Sequence, residues 1–152
     1  MFEIISAPID LAALAHAVRS DACGGVVTFC GIVRERSDDG RLVTGLSYEA
    51  HEAMAVAEFE RIASEARKRF GAHEIAIAHR VGDLTIGEVA VAVVVASAHR
   101  GAAFDACEYV IDELKRRAPI WKKEHYADGG DSVWKQNDCR RTSQSEAGTP
   151  NV

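Results

Sequence analysis

The chain has 152 residues, 47% of them apolar, which suits one domain with a substantial hydrophobic core. Its 18 basic and 23 acidic side chains give a formal charge of −5, which argues against a general nucleic-acid binder. No segment approaches the ~20 apolar residues of a membrane span. Met1-Phe2-Glu3-Ile4-Ile5 also lacks the basic start and long apolar stretch of a signal peptide, so a cytoplasmic protein with no membrane partner is expected.

In chain order, Phe2 to Ser6 reads as a short strand, and Pro8 with Asp10 introduces a helix. Asp10 suits its N-cap, and Leu11, Leu14, Ala15 and Val18 form its apolar face. Gly24-Gly25 then turns the chain into a long strand, Val26 to Arg34. Val27, Phe29, Gly31 and Val33 share one face of it, while Thr28, Cys30, Ile32 and Arg34 share the other. A glycine in mid-strand implies a bulge or a close neighbour at Gly31. The polar run from Glu35 to Arg41 reads as a mobile hairpin loop before a strand from Val43 to Ala50.

From Glu52 to Phe70 the spacing of Ala53, Val56, Ala57, Phe59, Ile62, Ala63 and Ala66 predicts a long amphipathic helix, stopped by Gly71. Ile75 to Val81 reads as a strand, Gly82-Asp83 as a turn and Gly87 as another. Val89 to Ala96 is a nearly continuous apolar run, short enough for a strand covered on both faces.

The polar corner Ser97-Ala98-His99-Arg100 follows, and then a helix from Gly101 to Arg117 with Ala103, Phe104, Cys107, Val110, Ile111 and Leu114 on its core stripe. An imidazole and a guanidinium at a helix start, where backbone N–H groups and the dipole favour an anion, suggest a phosphate or carboxylate site. Lys115, Arg116 and Arg117 fill the last turn, a position where cations often do no more than complement the helix dipole. Pro119 ends the helix, so Lys122 belongs to the next element.

Lys115, Arg116, Arg117, Lys122 and Lys123 place five cations within nine residues of an acidic protein, a pattern that fits either a solvated face or an anionic ligand. The cysteines, Cys23, Cys30, Cys107 and Cys139, form no CxxC pair and no zinc spacing. They are expected to be reduced, with Cys30 and Cys107 acting as small hydrophobes. Trp121 and Trp134 suit either core packing or anchors for a partner. Beyond Glu124 the chain is turn-rich, and the division expected is a domain over 1–126 followed by a polar tail over 127–152, with Arg140 to Val152 disordered.

Sixteen residues separate His99 from Lys115, and a continuous helix holds them roughly 24 Å apart. If His99, Arg100 and Lys115 serve one small-molecule site, its parts must come from two copies of the chain, so a homodimer with composite sites is expected.

Several ordered segments carry a family resemblance. They are Val27-Thr28-Phe29-x-Gly31-x-Val33-Arg34, Tyr48-Glu49-Ala50 with Met54, His79-Arg80-Val81-Gly82-Asp83-Leu84, Ser97-Ala98-His99-Arg100, and Leu114-Lys115-x-Arg117-Ala118-Pro119-Ile120-Trp121-Lys122-Lys123-Glu124. Together, over about residues 24 to 124, the chain resembles the large, catalytic subunit of molybdopterin synthase.

The resemblance implies an α+β fold, a single hammerhead-like domain with a mostly antiparallel sheet packed against helices. It implies sulfur transfer from the C-terminal Gly-Gly thiocarboxylate of a small ubiquitin-like carrier of the MoaD type to cyclic pyranopterin monophosphate. Two transfers build the dithiolene of molybdopterin, around a central dimer of large subunits in a heterotetramer, with no metal and no cofactor. Lys115 and Lys122 are then the catalytic candidates. Arg34, with His99 and Arg100 of the neighbouring copy, binds the phosphate and pterin edge, and Lys123 and Glu124 flank Lys122. The stretch around His79 is expected to be mainly a structural hairpin.

Ile32 stands where some relatives carry lysine, and His51 where tyrosine is frequent. Two other readings of the same residues are a docking module for a ubiquitin-like tail and a partner-independent enzyme acting on a phosphorylated metabolite.

Overall fold

The computed structural model describes residues 1–137. Cys139 and the tail expected to be disordered from Arg140 to Val152 lie outside the described residues.

Eleven elements are described in residues 1–137: β1 (Phe2–Ile5), α1 (Leu11–Ala17), β2 (Gly25–Ile32), β3 (Val43–Ala50), α2 (Glu52–Phe70), β4 (Glu74–Arg80), β5 (Gly82–Thr85), β6 (Val89–Ser97), α3 (Arg100–Arg117), β7 (Ile120–Tyr126) and β8 (Lys135–Gln136). The strands form two four-stranded sheets, in the orders β1-β4-β6-β2 and β5-β3-β7-β8. The β1–β4 pair is parallel and the other pairs are antiparallel, so the α+β expectation holds, with two sheets where one was anticipated.

Strand β6 is covered on both faces, and its alternation shows by what. Val91, Val93 and Val95 join the main core with Phe59 and Ile62 of α2 and Val110 and Leu114 of α3. Ala92, Val94 and Ala96 join a smaller cluster with Leu14 and with Val18, just past α1. The first sheet is thus sandwiched between α1 and the α2/α3 pair, which is why β6 reads as continuously apolar.

Local chemistry sets the helix ends. Oδ1 of Asp10 accepts from the Ala13 amide, the expected N-cap of α1. His51 caps α2 through Nδ1, and Gly71 closes that helix at φ 70°, a left-handed conformation that side chains with a Cβ rarely adopt. Arg117 ties α3 to α2 by bonding Glu58 and, at 2.7 Å, Glu65, and it also bonds Glu113 of its own helix at 3.2 Å. Its guanidinium, with the Tyr109 hydroxyl, pulls the Glu65 carboxyl down to about 2.

The structure changes several local expectations. Phe104 is 61% exposed and Ala106 takes its place on the buried stripe of α3. On α2, Ala55 is buried whereas Ala53 is exposed. Gly82-Asp83 opens strand β5, which pairs with β3 in the other sheet, while β4 and β6 on either side of it pair antiparallel with each other. Gly31 has both features expected of it. The β2–β6 register shifts beside it, and a Cβ there would sit 2.6 Å from Cγ1 of Val91. Glu35 to Val43 is indeed a hairpin, bridged at Arg36 and Leu42.

Candidate active site

The antiparallel β2–β6 ladder runs from Gly25↔Ser97 at one end to Ile32↔Val89 at the other, and it fixes where each candidate lies. His99 and Arg100 follow Ser97, whereas Arg34 follows Ile32. Helix α3 runs from the first end back to the second, bringing Lys115 to the end where Arg34 lies. Eighteen helical residues separate these ends by roughly 27 Å. Within one chain, His99 and Arg100 cannot reach what Arg34, Lys115 and Lys122 reach.

Strand β7 alternates, and its register decides the roles of its residues. Ile120, Lys122, Glu124 and Tyr126 share one face, whose outer members Ile120 and Tyr126 belong to the core. Lys122 is paired with Tyr48 and Glu124 with Leu46, both buried. A cation and a carboxylate therefore sit on an inward face between core residues. Trp121, Lys123 and His125 are on the other face, where Lys123 is 3.0 Å from Asp131 and Trp121 is exposed. Lys123 is separated from the Lys122 side of the strand.

Beneath Tyr48 lies His79, fully buried, its ring edge-on to the tyrosine at a 5.1 Å centroid distance. Burial pushes its imidazole down to about 4, and the nearby Lys115 ammonium adds to the effect. Lys122 of β7 is thus the register partner of Tyr48, and Lys115 of α3 lies near enough to His79 to act on its charge. His79 is neutral at ordinary pH, and packing and hydrogen bonds at both ring nitrogens hold it.

Beside Lys122 opens a cleft of about 220 Å³, lined by Ser37, Asp38 and Asp39 of the hairpin and by Lys122, Glu124, Tyr126, Lys135 and Gln136. Glu124 anchors it: the Tyr126 hydroxyl donates to Oε2 at 2.7 Å, Lys122 Nζ is 3.8 Å from Oε1, and Lys135 Nζ is 4.0 Å from Oε2. The bond to Glu124 raises the Tyr126 phenol to about 12. Arg34 is ion-paired with Asp38, and that contact holds the Asp38 carboxyl below the usual carboxylate range, with a smaller contribution from Lys122.

Of the five clustered cations, Arg116 pairs with Glu113 and Arg117 with three carboxylates. The cluster is therefore no continuous basic patch. Lys135 and Asp38 join the cleft without having been singled out in the sequence, because β8 has two residues and the hairpin tip has no periodicity.

The other end of α3 is more open. His99 occupies the N-cap position without a side-chain cap bond, and with Arg100, Gly24, Ala98 and Gly101 it lines a cleft of about 530 Å³. Between α3 and β2, a third cleft of about 650 Å³ runs past Phe29, Phe104 and Ile111 to Lys115.

Burial raises the Cys30 thiol, and raises that of Cys107 to about 11, so neither is activated. Among the described residues no cluster of three His, Cys, Asp or Glu side chains is placed to hold a metal ion, and no helix is long and apolar enough to cross a membrane.

Comparison with known proteins gives consistent results. The family model described as MoaE protein matches residues 4–117. The molybdopterin synthase catalytic subunit of Nostoc sp. is 40% identical over 146 residues, covering 95% of this chain and 87% of that protein. A crystal structure of molybdopterin synthase from Staphylococcus aureus superposes with a TM-score of 0.83 at 36% identity, covering 88% of this chain and 96% of that one. A chain from a complex of subunits 1 and 2 of molybdopterin-converting factor from Helicobacter pylori matches at a TM-score of 0.67 and 30% identity, covering 84% and 86%. With a family match over most of its length, and relatives that share both sequence and fold, this chain belongs to the MoaE family.

Proposed function

We propose that this chain is the catalytic subunit of a molybdopterin synthase, working in the cytoplasm. It takes sulfur from the C-terminal thiocarboxylate of a small ubiquitin-like carrier and delivers it to cyclic pyranopterin monophosphate, and two transfers complete the dithiolene. The observation that carries this reading is the convergence of Lys115 and Lys122, from separate elements, on the buried Tyr48–His79 pair.

The neutral imidazole and the phenol ring give Lys115 a surrounding poorer in water than bulk solvent. The thiocarboxylate sulfur first bonds to a pterin carbon; water then adds to the acyl carbon, and the ammonium stabilises the oxyanion of that adduct, which collapses to release the carrier as a carboxylate and leave the sulfur on the pterin. Lys122, held near Glu124, supplies a second positive charge for the substrate or for the carrier's terminal carboxyl. Glu124 orients that lysine, and Lys123 lies on the outer face, where it can meet the carrier. Arg34 binds the phosphate, for which a planar, permanently charged guanidinium is suited.

His99 and Arg100 enter this site from a second copy. Strand β2 is an edge strand, and its exposed Phe29 lies in one cleft with the exposed Phe104 of α3. A two-fold axis through that face would set the His99 end of one copy against the Lys115 and Arg34 end of the other. The complex of two converting-factor subunits seen for the Helicobacter relative supports a carrier partner.

The test is product formation by Lys115→Ala with the thiocarboxylated carrier. A loss of about 10²-fold or more is expected. Activity within a few-fold of the unmodified protein would remove Lys115 from the mechanism.

A further inference from the structure

We infer that Asp38 is a built-in competitor for the anion site: its carboxylate engages the Arg34 guanidinium and yields that place to the phosphate of the incoming substrate. This inference rests on the reading of Arg34 as a phosphate ligand.

The three carboxylates around the cleft differ in what holds them. Glu124 is only 14% exposed and accepts from Tyr126, so it is fixed in the wall. Asp39 accepts from the Ser37 hydroxyl and from the Arg41 amide, so it shapes the hairpin turn. Asp38 is bonded to Arg34, lies in the field of Lys122 and is 92% exposed at the hairpin tip. It can therefore swing away without disturbing the core or breaking a backbone bond. Both cations that it faces are those assigned to the substrate's phosphate and to the carrier's carboxyl.

A resident carboxylate ties the guanidinium to Asp38, which itself lines the cleft, and keeps like charges from repelling one another. It also sets a threshold, because a ligand must bring negative charge of its own to replace it. Exposed ion pairs of this kind are weak, so the competition is mild and exchange is fast.

The test is calorimetric binding of cyclic pyranopterin monophosphate to the full-length protein, in a cycle of Asp38→Asn, Arg34→Ala and the double variant. Asp38→Asn is expected to bind about two- to five-fold more tightly, and the gain is expected to vanish when Arg34 is absent. An equal gain in both backgrounds would mean that Asp38 acts only as general negative charge, and would overturn the inference. So would a Asp38→Asn variant that binds no more tightly while Arg34→Ala binds more weakly, although Arg34 would then keep its role. Unchanged binding in Arg34→Ala would overturn the assignment of Arg34 itself.

Discussion

The side-chain amide of Asn137 donates to Nε2 of His79 at 3.3 Å, while Nδ1 of the same ring donates to the carbonyl of Arg80 at 2.9 Å. The carbonyl only accepts, so the proton is on Nδ1, and the neutral ring presents Nε2 as an acceptor. One buried histidine thereby joins β4 of the first sheet to the segment after β8 of the second. Asn137→Ala removes the donor and leaves Nε2 buried without its partner. A loss of about 1–3 kcal/mol is expected, read from the midpoint of urea unfolding.

The same ring predicts a pH dependence. His79 titrates near 6.5 when unfolded and at about 4 when folded, because burial disfavours the charged form. With the folded value depressed, the stabilisation is fully present above pH 6.5 and is lost as pH falls from 6.5 through 4. Roughly 3 kcal/mol is involved over that interval. His79→Gln should flatten the stability curve between those pH values, and a curve that keeps its slope would assign the dependence to other groups.

Gly31 is required by its neighbour. The 2.6 Å approach of Val91 Cγ1 leaves no room for a methyl group, so Gly31→Ala is expected to cost about 1–3 kcal/mol. Val91→Ala in the same chain should recover part of that loss, making the two substitutions non-additive in thermal unfolding.

The composite site predicts complementation. Arg100→Ala and Lys115→Ala chains are each expected to be impaired as pure preparations. Co-refolded in equal amounts, about half of the dimers are mixed, and each has one intact site, so about a quarter of full activity should return. No recovery beyond the sum of the two would contradict a site shared between copies.

The sequence made some features legible and hid others, for physical reasons. Strand β6 and helix α2 could be read directly because burial on two faces, or on one stripe, writes a dense periodic pattern. The separation of His99 from Lys115 followed from helix geometry alone. Phe104 misled because its spacing fits the core stripe, yet that side of α3 faces an open cleft beside an edge strand. Strand β5 was hidden because Gly82-Asp83 carries turn residues while the pairing that makes it a strand comes from distant β3. The Arg34–Asp38 contact and the approach of Lys135 to Glu124 depend on loop and edge register, which leave no periodic mark.

The most direct test of the central claim mixes the purified chain with its small carrier subunit and cyclic pyranopterin monophosphate, the carrier being supplied either as thiocarboxylate or as plain carboxylate. Molybdopterin is read as its fluorescent oxidation product. Product with the thiocarboxylate and none with the carboxylate is the predicted result. Tight carrier binding without product from either form would contradict a catalytic role and leave a docking protein.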